Sequence, residues 1–186
     1  MSTAPLQAAI ASTKAELAAV TAADLDAETP CESWKVRDLI NHLIGAQSFF
    51  LAGIDGTPPA APGTDFASGD FHAAFDEASS RLLSAFSAEG VMEKTLNTPI
   101  GPMPGAAFIG LAMNDTFVHG WDLAKSTGRS TDLAPDLAAA LLERAKSSIP
   151  DAFRGDDGKK PFGMAQEAPE GACSADQLAA FLGRRL

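Results

Sequence analysis

Only two cysteines, Cys31 and Cys173, occur in the 186 residues. They lie far apart and form no CxxC pair, which excludes a disulfide framework and a zinc knuckle; both read as free thiols. Basic residues are also scarce, 14 Lys and Arg against 24 Asp and Glu, for a formal charge of −10. With no basic patch to meet phosphate, nucleic acid and anionic membrane surfaces drop out as partners. No uninterrupted run of about 18 apolar residues occurs, and no charged n-region followed by an apolar h-region opens the chain. The expectation is a cytoplasmic protein. Repeats and low-complexity segments are missing too, and a length of 186 residues, enough to bury one full core and short for a second, sets the expectation of one domain over 1–186.

What is present is helical pattern. Ala-rich stretches and apolar residues at helical spacing predict helices over 6–22, 34–51, 71–86, 106–125, 135–149 and 175–182. All-α is therefore the expected fold class. Thr29-Pro30-Cys31-Glu32 has the form of a capping box with Pro at the first helical position, and Ser33 offers a second N-cap one turn later, so the second helix is expected to begin in this stretch. Residues 95–98 read as a short extended piece and 99–105 as a Pro- and Gly-rich turn. From 150 to 186 the composition turns charged and turn-rich, and the reading is a C-terminal surface arm closing in a short helix.

The most informative stretch is Asn114-Asp115-Thr116-Phe117-Val118-His119-Gly120-Trp121-Asp122. Asp115 and His119 stand four residues apart, so a helix stacks them on one face, which is metal-ligand spacing. Their helix is apolar nearly all round and reads as buried, and a buried carboxylate needs a partner or a cation. His42 flanks the apolar stripe of the second helix and is the natural third ligand. The pair is also explained by hydrogen bonds to each other or to a neighbouring helix, or by an ion pair from Asp115 to Arg37. Asp122, three residues past His119, either orients that imidazole or forms a helix-surface salt bridge. Trp34 and Trp121 either line a pocket or belong to the core. His72, off its helix's apolar stripe, reads as exposed. Cys31 lies near a helix start, where a thiolate is favoured.

Together, Trp34-Lys35-Val36-Arg37-Asp38-Leu39-Ile40-Asn41-His42-Leu43 and Asp115 to Ala124, with its His-Gly-Trp-Asp-Leu-Ala string, resemble the DinB/YfiT-like superfamily. The similarity is to its actinobacterial metal-binding branch, typified by the N-terminal domain of mycothiol-dependent maleylpyruvate isomerase. It implies a four-helix bundle with a divalent metal held by His42, Asp115 and His119, where the isomerase has Glu in place of Asp115. Zinc is the first expectation, with nickel and iron sharing such ligands. Three protein ligands leave a position open, as in catalytic zinc sites. The function implied is a thiol-dependent transferase or isomerase, with a small-molecule substrate and a low-molecular-weight thiol of the mycothiol type. The alternative is a non-catalytic protein whose metal is structural, with Cys31 or His72 as a fourth ligand. The apolar content permits a homodimer.

Overall fold

A computed structural model describes residues 2–156 and 159–186 of the chain. Asp157 and Gly158, inside the charged turn read from the sequence, lie outside the described residues. The order is α1 (Ala4–Leu17), α2 (Val36–Asp55), α3 (Phe71–Phe86), β1 (Thr95–Thr98), β2 (Gly101–Pro104), α4 (Gly105–Ser126), α5 (Pro135–Ser148), a short 3-10 turn (Asp151–Phe153) and α6 (Ser174–Phe181). None of the described helices is long and apolar enough to cross a membrane.

The spine is α4. Trp121, Phe108, Phe117 and Ile109 along it are fully buried, and α1, α2, β2 and α6 pack around it. Helix α3 closes the arrangement against α1 and α2, burying Phe75, Leu82 and Phe86. Its start is fixed by Asp70, whose carboxylate accepts from the Ala73 amide at 3.0 Å, an N-cap of the ordinary kind. The protein is mostly helical, as the apolar spacing predicted.

Two expectations need correction. The first is an addition to the helical fold, a small antiparallel hairpin of β1 and β2 pairing Leu96 with Met103 and Thr98 with Gly101. Its second strand looked like a turn because Pro102 and Pro104 cannot donate; they alternate with Gly101 and Met103, a loss that a two-stranded edge tolerates. Gly101 takes φ 109° at the reversal, backbone that glycine adopts without strain. The second correction concerns the capping box at Thr29: α2 starts at Val36, two residues after the expected Trp34, with Lys35 at its N-cap position. The Thr29 hydroxyl instead accepts from the Cys31 amide at 3.1 Å, a local turn. Asp38 caps the true helix start by accepting from the Lys35 amide at 2.9 Å.

The C-terminal segment packs rather than trails. Ala175, Leu178, Ala179 and Leu182 are buried, with α6 against α5 and α4. Arg154 pins it by donating to the Gly163 and Phe181 carbonyls at 3.2 and 2.8 Å, its guanidinium stacked over the Phe181 ring.

Two helical glycines predict opposite substitution effects. A Cβ on Gly120 would stand 2.4 Å from Thr13 Oγ1, where α1 and α4 meet, whereas one on Gly45 would meet nothing within 4 Å. Gly120→Ala is expected to destabilise by about 1–3 kcal/mol through overpacking. Gly45→Ala should stabilise α2 by about 0.5–1 kcal/mol. Urea unfolding midpoints of the two variants check both signs.

Candidate metal centre

Helix α2 supplies His42, and α4 supplies Asp115, His119 and Asp122 from adjacent turns of one face. His42 Nε2 lies 3.2 Å from Asp115 Oδ1, and His119 Nε2 lies 3.8 Å from the same oxygen. The two imidazole centroids are 4.5 Å apart. Ligand atoms of His42, Asp115 and His119 all fall within 4.8 Å of one another. Asp115 Oδ2 is buried and has no hydrogen-bond partner among the described residues, although such atoms are nearly always satisfied.

Behind this group stands a second one. Asp122, wholly buried, places Oδ2 2.8 Å from His119 Nδ1. Its carboxylate also receives Arg184 from the last residues of the chain, Nε at 3.2 Å and Nη2 at 2.9 Å. Cys31 Sγ lies 3.5 Å from both Asp122 Oδ2 and Arg184 Nη2. Cys31, His119 and Asp122 are likewise close enough together to hold a metal ion.

The electrostatics of the two groups differ. Burial would push the Asp122 carboxyl up, yet the Arg184 charge and the His119 bond hold it far below the ordinary carboxylate range. The same pairing overrides burial to strengthen the hold of Arg184 on its proton. For His42, burial disfavours the imidazolium, but the hydrogen bond and charge of Asp115 outweigh it and raise the pKa. Asp115 mirrors this, with burial opposed and overcome by His42, His119 and the more distant Arg184. The inner pair thus favours the charged forms of His42 and Asp115 against their burial, while the outer carboxylate already has Arg184 as its cation.

Of the aromatic candidates, Trp34 packs its ring 4.7 Å from His42 and 5.6 Å from His119. Trp121 points elsewhere, buried with its indole N–H donating to Asp176 of α6 at 2.8 Å. His72 is exposed on α3. Arg37 does not reach Asp115; it pairs with Asp26 at 2.7 Å. Cys173 sits at the start of α6. Arg184 is the residue that sequence reasoning missed: it is 62 residues from Asp122 and follows no motif. The signal available was indirect, a carboxylate on the buried face of α4 that required a cation.

A cavity of about 340 Å³ opens beside the inner group, lined by His42, Gly45, Ala46, Phe49, Phe50 and Asp115.

The model of the mycothiol maleylpyruvate isomerase N-terminal domain matches residues 6–124, a span that holds His42, Asp115, His119 and Asp122 and stops before Arg184. Two uncharacterised proteins of Mycobacterium tuberculosis, from strains CDC 1551 / Oshkosh and H37Rv, are each 41% identical over 170 residues, covering 90% of this chain and 89% of theirs. No solved structure matches the chain significantly. Both the matched span and the site within it lead to one statement of kinship: the chain belongs to the mycothiol maleylpyruvate isomerase N-terminal domain family.

Proposed function

We propose that the protein binds a divalent metal through His42, Asp115 and His119 and acts as a thiol-dependent transferase or isomerase with a mycothiol-type cosubstrate. The observation that carries this reading is Asp115, whose Oδ1 faces two imidazoles while its buried Oδ2 has no partner among the described residues. A cation there supplies what the carboxylate lacks.

The outer group of Cys31, His119 and Asp122 is the weaker host. Arg184 already neutralises Asp122 and touches Cys31, so an ion placed there would have to displace a buried guanidinium. The outer group instead holds His119 by its Nδ1, leaving Nε2 turned toward Asp115, a support arrangement common behind metal-ligating histidines. Two neutral imidazoles and a carboxylate suit zinc, and nickel or ferrous iron as well. Three protein ligands leave room for a substrate atom, and the ion would supply Lewis acidity that eases ionisation of a thiol near neutral pH. The same proposal takes the mutual packing of α1 to α4 as a DinB-like four-helix bundle, in one domain spanning the chain.

The test is metal content by inductively coupled plasma mass spectrometry on protein purified without a metal-affinity tag. Near one metal per chain is expected in the parent, with loss in His42→Ala, Asp115→Ala and His119→Ala. A parent that stays metal-free after reconstitution with Zn²⁺, Ni²⁺ and Fe²⁺ sinks the proposal. Thiol transfer to an electrophile, confined to the metal-loaded protein, is the expected activity; metal without turnover reduces the reading to metal binding.

A further inference from the structure

The face of α2 that carries His42 continues as Gly45, Ala46 and Phe49, at helical offsets of three, four and seven residues. These side chains, with Phe50 and Asp115, line the roughly 340 Å³ cavity beside the inner group, a volume at the lower end of the range for small-molecule sites. Phe49 and Phe50 meet edge to face, their centroids 5.5 Å apart. Beyond His42 and Asp115, every lining residue is apolar.

None of the lining residues is Lys or Arg. The cation whose field reaches both His42 and Asp115 is Arg184, and its guanidinium is engaged by both oxygens of Asp122. The protein as a whole carries a formal charge of −10, which repels anions at long range. Of a small dicarboxylate's two charges the proposed ion on His42 and Asp115 could meet one, and the other would stand unpaired against phenylalanine rings, an arrangement that burial penalises heavily.

Gly45 determines how much room there is. An ideal Cβ built there meets nothing within 4 Å, so a side chain at this position extends into open space rather than into the core. Glycine in mid-helix is a poor helix former, and here its missing side chain leaves the cavity open one turn from His42.

We infer that the cavity is the substrate site of this protein and accepts an uncharged apolar group of aryl size rather than a small dianion, with Gly45 setting the depth of the site. This rests on the reading of His42, Asp115 and His119 as metal ligands, but the two can fail separately.

Two thiol probes of similar size test it: phenylmethanethiol, which is apolar, and mercaptosuccinate, which is dianionic. Each is titrated into zinc-treated wild type, Gly45→Ala and Gly45→Phe while the amide resonances of residues 45, 46, 49 and 50 are followed by NMR, with metal content measured on the same samples. The expected result is phenylmethanethiol binding at least about tenfold more tightly than mercaptosuccinate. Gly45→Phe should weaken phenylmethanethiol by about tenfold or more with metal content unchanged, and Gly45→Ala, which fills less of the cavity, should weaken it by less than Gly45→Phe does. Equal or tighter binding of the dianion overturns the inference, as does Gly45→Phe or, should that variant not fold, a cavity-filling Gly45→Leu that binds phenylmethanethiol like wild type. If no metal is retained but the aryl probe still shifts these amides and the large side chain at 45 abolishes the shift, the metal reading fails and the apolar site stands.

Discussion

Arg184→Gln is expected to cost about 3–5 kcal/mol of stability, because it strands a fully buried carboxylate. Asp122 has no exposed side-chain surface and Arg184 only 13%, so water cannot take over the lost contacts as it would at a surface pair. The His119 ring loses its support in the same step, since the oxygen that faces its Nδ1 also receives Arg184 Nη2. Metal affinity should then fall by about 10–100-fold, the usual effect of losing an outer partner of a ligating histidine. Urea unfolding of Arg184→Gln, Asp122→Asn and the double variant checks the pairing: the double variant should cost less than the sum of the singles. Additive losses would mean that Arg184 and Asp122 contribute independently.

The pair also sets a sign for acid stability. Because the native Asp122 carboxyl titrates below its ordinary value of 3.8, its contribution is fully present above that value and is lost as the pH falls through and below it. Arg184→Gln removes the largest influence holding that carboxyl down, so the variant should lose less stability than wild type between neutral pH and about pH 3.

Arg184 marks where sequence reading stops. Asp115 and His119 were legible because helical spacing alone puts residues four apart on one face, and the apolar surroundings of α4 turned that face inward, His119 buried and Asp115 half-buried. His42 was legible from its place beside the Leu39 and Leu43 stripe of α2. These inferences need only local periodicity, which the chain obeys. Arg184 reaches Asp122 across 62 residues, and Cys31 reaches the same carboxylate across 91; such pairings depend on how distant segments dock on α4, which no local pattern encodes. Thr29 to Glu32 misled for a related reason. Their side chains fit a helix start, but the Trp34 amide bonds back to the Cys31 carbonyl at 2.8 Å and closes a turn, which leaves Cys31 facing the site. The hairpin was hidden because prolines at alternate positions look like a loop until a partner strand is known.

Stripping the protein with a chelator is expected to lower its melting temperature by roughly 10 °C, since an ion held at about a thousand times its dissociation constant stabilises by about 4 kcal/mol. The variants decide which group of ligands is responsible. His42→Ala and Asp115→Ala touch only the inner group, so loss of the chelator response in both locates the ion there. Cys31→Ser touches only the outer group and should keep the response in full, whereas an ion on Cys31, His119 and Asp122 would give the reverse pattern. His119→Ala belongs to both groups and serves as the common control. The inner assignment predicts retention in Cys31→Ser because the serine hydroxyl still faces Arg184, whose charge Asp122 continues to balance. A parent whose melting temperature ignores the chelator would leave Asp115 with the His42 and His119 imidazoles as its partners and no ion between them.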